Sequence, residues 1–241
     1  MGVLPKTLWK KFLDYDEKNR VKLALNLLLI QTNGKYILVD TGIGNKITDK
    51  IKKIYNYSNF TLLPNLNKIG ISREEINYVI LTHLHFDHAG GVTSLLNGKK
   101  ELTFPNAVYL IQKKEWGIAK NPNGLNRASY KFKEDLELLD RSGNYQLIDG
   151  DYQLTPEIKL ELVSGHSEGM QIVRIESGNK LAFYAGDIIP MEAHKHPSVT
   201  SAYDINRKET FNVKMKILEE LNKNGGTLFL SHDTEKVTIK Y

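Results

Sequence analysis

Apolar and polar residues alternate along the chain in a pattern that predicts short strands interrupted by helices. Two apolar runs, at residues 23–30 and 35–40, flank Thr32-Asn33-Gly34, a combination typical of a β-hairpin. Further apolar runs predict strands at residues 76–81, 107–111, 145–148, 158–163, 171–176, 181–185, 227–230 and 236–241. Helical spacing of apolar residues, together with a capping box at 72–75, predicts helical segments near residues 46–56, 72–75, 126–140 and 207–223.

The order of these elements predicts the fold class. Antiparallel hairpins mixed with helices indicate an α+β fold, an αββα sandwich of two mixed sheets flanked by helices. In the last helix, Phe211, Met215 and Leu218 form a stripe that we expect to pack on a sheet. No internal repeat and no Pro/Gly/Ser-rich linker interrupts the pattern, so we expect a single domain over residues 1–241.

Composition narrows the possible chemistry. The 241 residues include 0 cysteines and 7 histidines, which excludes disulfides, thiolate metal sites and cysteine nucleophiles but leaves imidazole sites open. Basic residues number 33 against 28 acidic ones, a net charge of +5. Most of the basic residues are lysines, and their adjacent pairs are scattered and form no stripe with aromatic residues, so we do not expect nucleic acid as a partner.

Neither end of the chain nor its interior predicts contact with a membrane. No apolar run approaches the roughly 18 residues of a membrane-spanning helix, and the N-terminus lacks an apolar signal core, so we expect a cytoplasmic protein. The N-terminal segment is nevertheless apolar at four positions. We expect it to pack on a pocket rim or on a partner subunit, which favours a homodimer; these positions are Leu4, Trp9, Phe12 and Leu13.

The strongest chemical signal follows the predicted strand at 76–81, where residues 82–91 read Thr-His-Leu-His-Phe-Asp-His-Ala-Gly-Gly. Two imidazoles spaced two residues apart on extended backbone, His83 and His85, point to the same side and can hold one ion. The turn that follows directs Asp87 and His88 towards a second position. Imidazole and carboxylate are ligands for Zn, Mn, Fe or Co, so the segment predicts a metal centre.

This His-x-His-x-Asp-His segment resembles the metallo-β-lactamase superfamily of dinuclear metallohydrolases, and the resemblance extends along nearly the whole chain. Four further segments are similar to the family's Asp-x-Gly turn, its Gly-His-x-x-Gly segment, the segment of its bridging carboxylate and its final histidine. They are, in that order, Asp40-Thr41-Gly42, Ser164-Gly165-His166-Ser167-Glu168-Gly169, Gly186-Asp187 and Ser231-His232-Asp233.

The resemblance implies two divalent metal ions, with zinc expected and Fe, Mn or Co as alternatives. It assigns one ion to His83, His85 and His166, the other to Asp87, His88 and His232, and the bridging position to Asp187. Asp40 is expected to orient a ligand imidazole rather than to bind metal. A hydroxide that bridges the ions would attack the substrate, and Asp87 would relay a proton to the leaving group.

The remaining pattern resembles acyl-homoserine lactonases and organophosphate hydrolases. It implies a small carboxylic ester or lactone as substrate, with a phosphoric ester as the alternative and a thioesterase or metal-dependent nuclease as further ones. The lactonases place a substrate-polarising tyrosine just after the bridging aspartate, where this chain has Ile188-Ile189-Pro190. Our candidates for the substrate pocket are Phe86, His194, His196 and Tyr203.

A serine-hydrolase alternative rests on the segment at 165–169, which also fits Gly-x-Ser-x-Gly, with Asp187 and His232 following in the order of a catalytic triad. A nucleophile elbow of this kind is followed by a helix, whereas residues 170–176 alternate like a strand. This interpretation also leaves the cluster at 83–88 unexplained, so we favour the metal centre.

Overall fold

A computed structural model describes residue 2, residues 4–11 and residues 13–241. The chain divides into two compact units, which we call the central unit, Leu27–Ile148, and the terminal unit, Met1–Asn26 with Asp149–Tyr241. Each unit contains its own sheet and its own apolar core. The single domain expected over residues 1–241 stays a prediction.

Seven α-helices and thirteen strands occur in the described part of the chain. The helices are α1 Lys6–Trp9, α2 Asp49–Tyr55, α3 Leu62–Lys68, α4 Phe86–Ala89, α5 Lys113–Lys120, α6 Glu137–Ser142 and α7 Arg207–Asn224. The strands are β1 Leu28–Thr32, β2 Lys35–Val39, β3 Ile76–Ile80, β4 Thr93–Leu96, β5 Lys99–Leu102, β6 Val108–Gln112, β7 Tyr145–Ile148, β8 Tyr152–Thr155, β9 Ile158–Leu162, β10 Gln171–Ser177, β11 Lys180–Tyr184, β12 Thr227–Phe229 and β13 Thr238–Lys240. Among these described helices, none is long and apolar enough to cross a membrane.

The central unit is built on a five-stranded mixed sheet in the order β1-β2-β3-β6-β7, with β4 and β5 forming a separate hairpin. Strands β1 and β2 pair antiparallel, and the other neighbours in the sheet pair parallel. The predicted hairpin turn is confirmed: Asn33 and Gly34 both have positive φ, 49° and 72°, as a type I′ turn requires. The first strand starts at Leu28 rather than at residue 23, because the backbone N–H groups of Ala24 and Asn26 bond to carbonyls of His232 and Ser231.

The terminal unit is built on a six-stranded sheet in the order β13-β12-β11-β10-β9-β8, in which only β11 and β12 pair parallel. Helix α7 contacts β11 and contributes Ile217, Leu218 and Leu221 to the core of this unit. The apolar stripe predicted for this helix is wrong at Phe211, which is 40% exposed. The buried face instead includes Thr210 and Lys214, two polar residues that an apolar pattern cannot identify.

The N-terminal segment is only partly described. Leu4, Trp9 and Leu13 are half-buried, and the ring of Trp9 packs edge-on against Tyr15 with centroids 5.4 Å apart. Phe12, the fourth apolar residue predicted to pack here, lies outside the described residues. Packing of this segment on a pocket rim or on a partner subunit stays a prediction.

Candidate metal centre

In the central unit, the histidine segment lies where β3 ends and α4 begins. His83 and His85 precede the helix, His85 in an extended conformation, whereas Asp87 and His88 lie within the four-residue helix α4. All three histidines are buried, whereas the side chain of Asp87 is 30% exposed. This change from extended backbone to helical turn is the one that the sequence predicts for two neighbouring metal positions.

The four side chains lie close together. His83 Nε2 is 3.1 Å from His85 Nδ1, and the ring centroids of His83 and His88 are 4.1 Å apart. Asp87 Oδ2 lies 3.8 Å from His88 Nε2. The central unit therefore assembles a compact group of imidazole nitrogens and carboxylate oxygens, with the carboxylate on its more exposed side.

The Asp40 turn holds this segment in place. Asp40 has a positive φ of 60° and is fully buried. Its Oδ1 accepts the backbone N–H of Thr82 at 2.8 Å, and its Oδ2 lies 2.8 Å from His88 Nδ1. Gly91 lets the two backbones meet, because a Cβ on it would lie 2.2 Å from the carbonyl oxygen of Thr41. Asp40 thus contacts both the backbone of this segment and the imidazole of His88, and its role in orienting a ligand stays a prediction.

In the terminal unit, three more predicted ligands follow the ends of strands. His166 follows β9, Asp187 follows β11 and His232 follows β12. Asp187 contacts both histidines: its Oδ2 lies 3.4 Å from His166 Nε2, and its Oδ1 lies 3.0 Å from His232 Nε2. The carboxylate of Asp187 thus lies between two imidazoles, and the bridging role that the resemblance implies for it stays a prediction.

Three of the histidines each bond to an acceptor through the Nδ1 atom of the ring. His88 Nδ1 faces Asp40, His166 Nδ1 lies 2.9 Å from Asp204 Oδ1, and His232 Nδ1 lies 2.8 Å from the carbonyl oxygen of Ala24. An imidazole whose Nδ1 bonds to an acceptor carries its proton there, so the lone pair of Nε2 is left for a metal ion. This donor set of imidazole nitrogens and carboxylate oxygens fits a divalent metal.

Asp204 is a site residue that the sequence did not reveal. It lies in the loop before α7, and its side chain is fully buried. Its second oxygen, Oδ2, accepts the backbone N–H of Ser201 at 3.0 Å, which fixes the carboxylate. Asp204 lies 38 positions from His166, so no short sequence motif links the two residues. The sequence pattern predicts a role for the neighbouring Tyr203 instead.

The candidate pocket residue of the central unit, Phe86, is half-buried. Its ring packs against Tyr55 with centroids 5.6 Å apart, and Lys131 Nζ lies 4.5 Å from its centroid. Phe86 directly precedes Asp87 in the chain, and its apolar ring has a cation beside it.

The three candidates of the terminal unit differ in exposure. His194 is buried, and burial together with the charge of Lys214 lowers the pKa of its imidazole to about 3. His196 is exposed, as is Tyr203 at 66%. Ile188 and Ile189, at the position of the lactonase tyrosine, belong to the apolar core. The role of all four candidates in a pocket stays a prediction.

The loop that carries His194 and His196 is fixed by a buried amine. Lys214 Nζ, on α7, donates to the carbonyl oxygens of Val199 at 2.6 Å and His196 at 3.2 Å. Burial lowers the pKa of Lys214 to about 8. At its start, the same loop accepts a hydrogen bond from the backbone N–H of His232 at the carbonyl of Pro190, 2.8 Å away. The loop is therefore tied to the proposed ligand His232.

The serine-hydrolase alternative does not agree with the local structure. Ser167 is buried, and the segment that carries it leads into strand β10 rather than into a helix. A nucleophile elbow needs a strand-to-helix turn that exposes the serine hydroxyl. The segment instead carries His166, whose Nδ1 bonds to Asp204.

A model of the metallo-beta-lactamase superfamily matches residues 22–232, and the chain belongs to this superfamily. Among curated proteins it is similar to an N-acyl homoserine lactonase of Bacillus cereus, 30% identical over 66% of this chain and 61% of that protein. An N-acyl homoserine lactonase of Bacillus thuringiensis is 32% identical over 62% of this chain and 57% of that protein. The chain thus spans about three fifths of the length of these curated relatives.

Solved structures agree with this assignment. A probable metal-dependent hydrolase from Staphylococcus aureus has a TM-score of 0.93 and 30% identity, covering 100% of this chain and 85% of that one. AidC, a dizinc quorum-quenching lactonase, has a TM-score of 0.72 and 27% identity, covering 90% of this chain and 74% of its own. The chain therefore has the fold of this superfamily, and the predicted α+β class of mixed sheets flanked by helices is confirmed.

Proposed function

We propose that this protein hydrolyses a small carboxylic ester or lactone with the help of two divalent metal ions. The observation that carries the proposal is that His88, His166 and His232 each bond to an acceptor through Nδ1, so that the lone pair of each ring lies on Nε2. Support for the substrate class comes from the curated relatives, which are named N-acyl homoserine lactonases.

We assign His83, His85 and His166 to one ion, Asp87, His88 and His232 to the other, and Asp187 to a bridging position. Zinc is the proposed metal because a structural relative is a dizinc lactonase, and Fe, Mn and Co suit the same donors. Within the terminal unit, the contacts of Asp187 with His166 and His232 support its bridging role.

Two divalent ions supply a nucleophile from water near neutral pH and neutralise the negative charge that develops on the substrate. Residues of the chain orient the metal ligands and transfer the proton. Asp40 and Asp204 hold their imidazoles in one tautomer, so that the ligand nitrogens are unprotonated. Asp87, the most exposed carboxylate of the group, accepts a proton from the attacking water and passes it to the alkoxide leaving group.

The metal centre and the ester chemistry can be tested together. Purified protein is analysed for metal and assayed on esters, lactones and phosphotriesters, with and without a chelator. We expect two metals per chain, turnover of an ester or lactone, and loss of turnover in chelator that added zinc restores. Fewer than one metal per chain, or turnover that resists the chelator, would contradict the proposal. Faster turnover of phosphotriesters would favour the organophosphate alternative.

Two histidine variants provide a matched comparison for this experiment. His232→Ala removes a proposed ligand and should lower metal content, whereas His196→Ala changes an exposed imidazole that is assigned to no ion and should leave metal content unchanged. Equal effects of the two substitutions would count against the ligand assignment. The homodimer and the cytoplasmic location remain predictions, which size-exclusion chromatography and cell fractionation would test.

A further inference from the structure

A carboxylate that the proposed chemistry does not use is buried beside two of the proposed ligands. Glu115, in the first turn of α5, is only 1% exposed. Its Oε1 accepts a hydrogen bond from the backbone N–H of Leu84 at 3.0 Å and another from the hydroxyl of Tyr130 at 2.8 Å. Because Leu84 stands between His83 and His85, the buried carboxyl group contacts the backbone that sets the spacing of these two histidines.

The same carboxylate fixes an aromatic ring against His85. The ring of Tyr130, itself buried, lies edge-on to His85 with centroids 4.9 Å apart and an interplanar angle of 71°. His83 also meets His85 edge-on, with centroids 4.5 Å apart and an angle of 79°. Rotation of the His85 imidazole is therefore limited by two rings, one of which is bonded to Glu115.

Filling the core does not require a carboxylate at this position. Burial of a carboxylate is unfavourable unless hydrogen bonds and positive charge compensate. The next residue, Trp116, shows that α5 can pack with an apolar side chain, because it contacts the rings of Phe132 and Tyr145 with centroids 5.2 Å and 4.8 Å away. A carboxyl group that bonds to the backbone between His83 and His85 instead serves to fix that backbone.

We infer that Glu115 and Tyr130 are positioning residues that act through Leu84 and His85 to set the affinity of the metal position held by His83 and His85. The inference rests on the proposed function, in which both histidines are ligands. Groups that orient metal ligands in this way change metal affinity by roughly 10–100-fold when they are substituted. Neither residue needs to touch the substrate.

The test uses two conservative variants of the full chain. Glu115→Gln keeps the shape and an oxygen for the N–H of Leu84 but replaces the carboxyl group with an amide, and Tyr130→Phe keeps the ring but removes the hydroxyl. Each variant is stripped of metal and titrated with Zn²⁺ against a chromophoric chelator. The visible spectrum of the Co²⁺-loaded protein and the Tm of the metal-free protein are also recorded. We expect one of the two ions to bind roughly 10–100-fold more weakly, with an altered Co²⁺ spectrum.

Trp116→Phe is the matched control, because it changes the same helix through its apolar packing. It should lower the Tm of the metal-free protein and leave both affinities and the Co²⁺ spectrum unchanged. The inference is overturned if Glu115→Gln and Tyr130→Phe bind both ions like the unsubstituted chain. It is equally overturned if both affinities fall together, in proportion to a loss of Tm.

These measurements need no substrate, so they separate this inference from the ester chemistry. A chain that binds two ions but cleaves no ester or lactone would overturn the proposed function, and the affinities would still decide the role of Glu115 and Tyr130. A chain that binds no metal would overturn both.

Discussion

Asp204 Oδ1 lies 2.9 Å from His166 Nδ1, and both side chains are buried. The carboxylate is itself fixed by the backbone N–H of Ser201. His166 thus donates its Nδ1–H to Asp204, and its Nε2 faces Asp187. A partner that fixes both the tautomer and the ring direction makes the imidazole a better metal ligand.

We therefore expect Asp204→Ala to weaken metal binding by roughly 10–100-fold, measured by competition with a chelator. Asp204→Asn, which keeps an acceptor oxygen but no charge, should lie between Asp204→Ala and the unsubstituted chain. The adjacent Tyr203→Ala is the control, because Tyr203 is 66% exposed and should leave metal affinity unchanged. Unchanged affinity in Asp204→Ala would mean that Asp204 only stabilises its loop.

Substitution of Asp87 separates ligation from proton transfer. Asp87→Asn keeps an oxygen that can face a metal but cannot carry a proton at neutral pH, so turnover should fall by about 10²–10⁴-fold while metal content falls far less. Metal analysis and kcat on the best substrate of the panel measure the two effects. An equal loss of metal and turnover would reduce Asp87 to a ligand alone.

Many strands and the clustering of the side chains at 83–88 could be predicted from the sequence because their signals are local. The type I′ turn at Asn33-Gly34 and the histidine spacing at 83–88 each depend on a few neighbouring residues. The capping box at 72–75 was also predicted, and the structure contains both of its hydrogen bonds.

The strand and the carboxylates that the sequence does not predict lack a local pattern of this kind. Strand β5 begins Lys99-Lys100-Glu101 and pairs only with β4, so its side chains show little apolar pattern. Asp204 and Glu115 cannot be predicted for a related reason. A carboxylate reveals that it orients a histidine only when folding brings distant segments together, as in the 38-residue separation between His166 and Asp204.

The backbone of Gly91 lies so close to that of Thr41 that no side chain fits there. A Cβ there would lie 2.2 Å from the carbonyl oxygen of Thr41, so we expect Gly91→Ala to displace the Asp40 turn and cost about 1–3 kcal/mol of unfolding free energy. Gly117→Ala is the matched control: it lies in α5 with nothing within 4 Å and should gain about 0.5–1 kcal/mol. Urea denaturation measures both, and equal effects would contradict the steric argument.

The buried pair of Lys46 and Asp135 should give the protein a stability that depends on pH. Lys46 Nζ lies 3.1 Å from Asp135 Oδ1 and also donates to the carbonyl of Gly90. Desolvation raises the pKa of Asp135 from 3.8 to about 6, despite the opposing charge of Lys46. Between these values the folded state holds more protons than the unfolded chain, so the unfolding free energy falls as pH rises, by up to about 3 kcal/mol. Asp135→Asn removes this contribution. Urea denaturation at pH 4, 5, 6 and 7 should therefore show the variant gaining stability relative to the unsubstituted chain as pH rises, and parallel curves would contradict the assignment.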